Sequence, residues 1–66
     1  MDAQVRLIYA HLESGKGITA IDALLNYSCF RLAARIFDLR KRGVSIRTDW
    51  VLTNTGKRIA KYWLNN

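Results

Sequence analysis

The sequence has no proline, and only one cysteine and one histidine among its 66 residues. A lone cysteine cannot form an intrachain disulfide, and these few ligands cannot complete a zinc site. No apolar run approaches the roughly 20 residues that span a bilayer, and no charged-then-apolar leader opens the chain. We therefore expect a single domain, residues 1–66, that works in a reducing cytoplasm without a metal or cofactor.

Acidic residues are also scarce, five against eleven basic residues, and the charges are segregated along the chain. Residues 1–27 hold two basic and three acidic side chains, for a net charge of −1. Residues 28–66 hold nine basic and two acidic side chains, for a net charge of +7. This asymmetry favours a polyanionic partner for the second part of the chain. A basic domain that is merely soluble is the alternative.

Two segments in the first part of the chain have helical periodicity. Residues 2–14 carry apolar side chains at helical spacing, and Asp2 can cap or favour the positive end of that helix. Residues 19–26 begin with Thr19, followed three residues later by Asp22, which resembles a capping box.

The segment 29–42 is predicted as a third helix, with Ser28 as its N-cap and Gly43 as the residue that ends it. Its inward stripe recurs at i, i+4 and i+7 and comprises Leu32, Ile36 and Leu39. Arg31 and Arg35 recur on another face, where they can meet a partner.

After Gly43 the period changes from 3.6 to 2, which predicts strands at 44–52 and 57–64 around a turn. A helical interpretation of 57–64 is the alternative. Four aromatic residues are expected to pack between the third helix and this hairpin. They are Phe30, Phe37, Trp50 and Trp63.

The predicted fold class is therefore mainly α with a small β-hairpin. Three helices, the third rich in arginine, followed by a two-stranded hairpin form a winged helix-turn-helix, with the hairpin as the wing.

The sequence also resembles a family of small helix-turn-helix domains that is common in bacteriophages and bacterial mobile elements. The run 31–36 (Arg-Leu-Ala-Ala-Arg-Ile) is the most specific part, and the match covers nearly the whole chain. The other matching residues are Ile18, Thr19, Ala23, Leu24, Tyr27, Leu39, Arg40, Gly43, Ile46, Gly56, Lys57, Arg58, Tyr62 and Leu64. The resemblance implies a winged helix-turn-helix that binds DNA. The chain departs from it at 28–30, where relatives more often carry a glycine.

The candidate DNA contacts divide by element. On the third helix, Arg31 and Arg35 can donate to guanine O6 and N7. The alternative is a solvated pair, or Arg35 bridged to Asp38 or Asp22. Lys41 and Arg42, near the helix end, are expected on phosphates. Thr19 and Ser28 are predicted mainly as N-cap residues. Each also lies at a helix N-terminus, where free amides favour a phosphate.

The hairpin supplies the remaining candidates. We expect phosphate contacts from Arg47, Lys57 and Arg58. Such contacts orient a protein on DNA without reading its sequence. Asn54, at the tip, is a candidate for the minor groove.

The sequence therefore predicts a protein that binds double-stranded DNA. We expect a transcriptional regulator or an excisionase-like architectural factor associated with the nucleoid of a bacterial host. A lone domain makes few base contacts, so a homodimer or a cooperative multimer on DNA is expected. The alternative is a module that binds a host protein, and RNA binding is weaker because no aromatic sheet platform is evident. His11 has no catalytic partners in the sequence, so no enzyme activity is expected.

Overall fold

The computed structural model describes residues 2–65. Its elements are α1 (Ala3–Glu13), β1 (Ile18–Thr19), α2 (Ala20–Tyr27), α3 (Leu32–Lys41), β2 (Ile46–Leu52) and β3 (Arg58–Leu64). The strands form one antiparallel sheet in the order β1-β3-β2. The predicted fold class is confirmed, and the short strand β1 is an addition to it.

The core lies where the three helices meet one face of this sheet. Both α1 and α3 bury a single stripe at helical spacing, as their sequence patterns indicate. The buried apolar residues are Val5, Ile8, Leu12, Ile18, Ala23, Cys29, Leu32, Ile36, Leu39 and Ile46. Cys29 is thus a core residue.

The first two helices begin with side-chain caps, as predicted. The Val5 amide donates to an Asp2 carboxylate oxygen at 2.9 Å. At α2 the capping box is complete: the Asp22 amide donates to the Thr19 hydroxyl at 3.2 Å, and the Thr19 amide donates to the Asp22 carboxylate at 3.0 Å. These bonds satisfy amides that the helices leave unpaired.

The start of α3 differs from the prediction, because Ser28 closes α2 instead of capping α3. Ser28 has a left-handed backbone (φ 52°), and its amide donates to the Leu24 carbonyl at 3.0 Å. The next amide, of Cys29, bonds the Ala23 carbonyl at 3.1 Å, which holds Cys29 in the core. A residue used in this way cannot also begin a helix. Consequently α3 begins at Leu32, after Arg31, which makes no side-chain cap bond.

The end of α3 agrees with the prediction. Gly43 follows it with φ +92°, and the Val44 amide donates back to the Leu39 carbonyl at 3.1 Å. Only glycine adopts this backbone without steric cost.

The hairpin is present, so the helical alternative for 57–64 is wrong. The strands β2 and β3 pair from Ile46 opposite Leu64 to Leu52 opposite Arg58. β2 begins two residues later than the predicted position 44. Trp50 and Leu52, towards the end of β2, are exposed, so the helices leave this part of the hairpin uncovered.

The expected packing of four aromatic residues between helix and hairpin is wrong. Phe30, Phe37 and Trp50 are 84%, 60% and 61% exposed. Phe37 lies about 140° round the helix axis from buried Leu32, so it points away from the core. Trp63 is half-buried elsewhere, against Gly17.

Candidate functional site

The outward side of α3 is the most distinctive surface of the fold. It lies opposite the buried stripe and comprises Phe30, just before the helix, then Ala34, Phe37 and Lys41, at successive turns. The Lys41 ammonium lies 5.6 Å from the centre of the Phe37 ring. This surface is apolar over most of its length and basic at its end.

Beside it runs an open groove between α2, α3 and β3. Arg31 is the one charged side chain among the described residues that line it. They are Ala20, Ile21, Phe30, Arg31, Leu32, Ala33, Ala34, Ile59, Ala60 and Tyr62. We call this region the α3–wing groove. It joins the beginnings of α2 and α3 to the hairpin in one concave surface.

Arg35 lies on a different side of α3 from this surface. Its guanidinium Nε is 3.3 Å from the Asp38 carboxylate, and its side chain is only 27% exposed. It also faces the start of α1. The Val5 amide bond holds the pKa of Asp2 below its ordinary value, and the positive charge of Arg35 adds to that effect. Arg35 is thus paired with Asp38, and its charge also acts on Asp2.

The basic run at the end of α3 divides between structure and surface. Arg40 donates to the Ile46 carbonyl at 2.7 Å and to the Thr48 hydroxyl at 3.1 Å. It therefore fastens α3 to β2. Lys41 and Arg42 are both exposed, about two turns beyond Ala34, the last α3 residue that lines the groove.

The hairpin places its basic side chains on two different faces. Paired residues of neighbouring strands share a face, so Arg58 lies with Trp50 and Ala60 on the side that faces the helices. Its guanidinium carbon is 6.0 Å from the centre of the Trp50 ring. Lys57 and Asn54 are exposed in the turn.

Arg47 lies on the other face of the sheet. The Nε atom of Arg47 lies 3.4 Å from the Asp49 carboxylate, and its guanidinium carbon lies 5.5 Å from the centre of the Trp63 ring. The structure therefore does not bring Arg47 together with the α3–wing groove.

The two predicted caps have separate positions. Thr19 is half-buried, with its hydroxyl used by the Asp22 amide, directly before the α2 end of the groove. Ser28 is exposed at the opposite end of α2. Thr19 thus immediately precedes Ala20, which lines the groove, whereas Ser28 belongs to the turn between the helices.

The sequence interpretation missed the exposed aromatic residues of this surface. A signal for Phe37 was present, since 100° per residue puts it opposite the stripe of Leu32, Ile36 and Leu39. Trp50 offered no such signal, because its exposure depends on how far the hairpin extends past the helices.

Two classes of site find no support in the described chain. Residues 2–65 contain no group of three or more side chains placed to ligate a metal ion. None of the helices described is both long and apolar enough to cross a membrane.

Comparison with known proteins gives one match. A family model described as a winged helix-turn-helix domain matches residues 3–66. Neither the curated proteins nor the solved structures yield a match to the chain. The matched range includes all three helices and the whole hairpin.

Proposed function

The chain belongs to the winged helix-turn-helix domain family, and from that premise we propose that it binds double-stranded DNA. In this proposal α3 enters the major groove and the end of the hairpin lies against the sugar-phosphate backbone. The proposal is supported by the position of the free basic side chains. Nine basic side chains have no acidic partner within ion-pair distance in the described chain, and five of these are exposed near the α3 surface and the hairpin end. They are Arg31, Lys41, Arg42, Lys57 and Arg58. Of the other four, Arg6 and Lys16 precede α2, Arg40 is bonded to β2, and Lys61 lies over the Trp63 ring.

Charge on these side chains would supply most of the affinity. Lysine and arginine that neutralise phosphates release counterions, so binding weakens steeply with salt. The cap residue Thr19, at the start of α2, is close enough to the groove for that helix end to meet a phosphate as well. Asn54 remains a candidate for the minor groove.

The finer role is proposed from the resemblance to small phage and mobile-element domains. We propose a regulator of transcription or an excisionase-like architectural factor of phage or mobile-element type, acting in the cytoplasm on chromosomal DNA. One α3 offers few base contacts, so two or more copies would act together on a repeated site. No catalysis is proposed.

The test is a titration of labelled random-sequence duplex DNA at about 50 and 200 mM salt. We expect affinity to fall by orders of magnitude between the two conditions. The double substitution Lys41→Ala with Arg42→Ala should flatten the dependence of log K on log salt by about two. Arg6→Ala is the control, since Arg6 is an exposed arginine of α1, and it should change little. No binding at the lower salt would refute the proposal.

A second function is favoured by a specific observation, the exposed apolar side chains. Phe30, Trp50 and Leu52 are 84%, 61% and 73% exposed. Exposed apolar patches on a protein surface often mark a site of protein–protein contact. A host protein with an apolar patch and an acidic rim would fit them. Purification from host lysate discriminates the two, because this function requires a host protein, and not DNA, to be retained after nuclease treatment.

A further inference from the structure

The centre of the α3 outward surface has no side chain able to form a hydrogen bond. Phe30 and Phe37 are 84% and 60% exposed, and only Ala33 and Ala34 lie between them on this side. A helix that reads base edges by hydrogen bonds needs donors or acceptors here. This one offers methyl groups and aromatic rings.

The arginines of α3 are directed elsewhere. Arg35 contacts Asp38 at 3.3 Å, and Arg40 donates to β2 at 2.7 Å. Arg31 and Lys41 remain exposed, at the two ends of the surface. They are ten residues apart, or about 15 Å along a helix, which is comparable to the roughly 12 Å width of a major groove.

The major-groove edge of an A·T pair carries one apolar group, the 5-methyl of thymine. Alanine and phenylalanine side chains contact it favourably. Cations at both ends of an apolar centre match a groove with phosphates on its two sides and methyl groups on its floor. A purely apolar protein partner would not complement Arg31 and Lys41.

We propose that α3 recognises thymine methyl groups, with Ala33, Ala34 and Phe37 against them and Arg31 and Lys41 on the flanking phosphates. The target would be an A·T-rich major groove. This inference rests on the proposed binding of DNA and specifies what α3 reads there.

The test compares two duplexes, one of alternating dA and dT and one of alternating dA and dU. They have the same phosphates and the same hydrogen-bonding edges, and differ in the 5-methyl group. We expect tighter binding to the dT duplex, by about fourfold for each methyl group that becomes buried.

Two variants separate α3 from general effects of DNA shape. Phe37→Ala, at an exposed position that should fold normally, is expected to bring the ratio between the duplexes towards one. Leu25→Ala, also exposed (77%) but on α2 outside the groove, should leave the ratio unchanged. Circular dichroism of both variants checks the fold.

The outcomes separate the two proposals. Equal binding of wild type to both duplexes overturns thymine recognition and leaves DNA binding intact. An unchanged ratio in Phe37→Ala likewise overturns it, because the proposal places the Phe37 ring against the methyl groups. Binding to neither duplex, nor to random-sequence DNA, at about 50 mM salt overturns both.

Discussion

Ser28 has the one left-handed backbone among the described non-glycine residues, with φ 52°. An L side chain there costs roughly 1 kcal/mol that glycine avoids. We expect Ser28→Gly to raise the free energy of unfolding by about 0.5–1 kcal/mol, measured by urea denaturation.

A second serine supplies the matched control. Ser14 closes α1 with a right-handed backbone (φ −73°), and its hydroxyl donates to the His11 carbonyl at 2.6 Å. Ser14→Gly should therefore lower stability. Equal effects of the two glycines would contradict the assignment of strain to Ser28.

Gly17 is fixed by close packing. A Cβ at this position would lie 2.6 Å from Cε2 of Trp63 and 2.7 Å from Cε of Lys61. We expect Gly17→Ala to cost about 1–3 kcal/mol of unfolding free energy, because the indole must move. Thermal or urea unfolding measures this.

The steric explanation is checked by a double-mutant cycle. With Trp63→Leu in the background, Gly17→Ala should cost less than it does in the wild type. Strictly additive losses would show that the Trp63 ring is not the obstacle.

His11 joins three elements through its ring. Its Nε2 lies 3.0 Å from the Gly17 carbonyl, which can only accept, so Nε2 carries a hydrogen. In the neutral ring, Nδ1 then accepts from the Tyr27 hydroxyl at 2.7 Å. We expect Tyr27→Phe to lower the unfolding free energy by about 0.5–1.5 kcal/mol, without loss of helix content by circular dichroism. An unchanged midpoint in urea would contradict this role.

At the scale of elements, the cap of α1 gives the fold a pH dependence. The Val5 amide favours the ionised form of Asp2 and so lowers the pKa of Asp2 from its ordinary value near 3.8. The resulting stabilisation is present above that value and is lost as the pH falls through the lowered pKa.

We therefore expect the melting temperature to drop less between about pH 6 and pH 3 in Asp2→Asn than in the wild type. Asparagine keeps the cap acceptor but has no charge. Glu13→Gln, at an exposed position at the other end of α1, is the control and should keep the wild-type slope. A wild-type slope in Asp2→Asn would refute the role of Asp2.

Sequence reasoning succeeded for elements with local signals. The Asp2 cap, the capping box at Thr19 and the stop at Gly43 are all encoded within a few residues. Strand β1 is two residues long and depends on Ile18 pairing with Tyr62, far along the chain, so no local pattern reveals it. Serine can either close one helix or cap the start of the next. At Ser28 the choice depends on the burial of Cys29 in the core, which is not a local signal.

The candidate site shows the same division. Most of the basic residues of α3 and the hairpin are exposed, but the local sequence does not determine on which face each one lies. Arg47 and Arg58 both belong to the hairpin and lie on opposite sides of its sheet, which strand register decides. Likewise, the Arg35–Asp38 alternative describes the contact that the structure contains.

At the scale of the whole molecule, the excess of positive charge and the apolar α3 surface both belong to the second part of the chain. The net charge of +7 over residues 28–66 provides attraction at a distance, and the surface centre provides short-range contact. The outer side of α1 belongs to the part of the chain with a net charge of −1. In this account it faces solvent or another protein.

The most direct measurement is a titration of the ¹⁵N-labelled protein with duplex DNA, followed residue by residue in amide NMR spectra. We expect the largest shifts at 30–42 and 53–60, with little change at Arg6 and Glu13. Shifts concentrated in α1, or none at saturating DNA, would contradict binding through α3 and the wing.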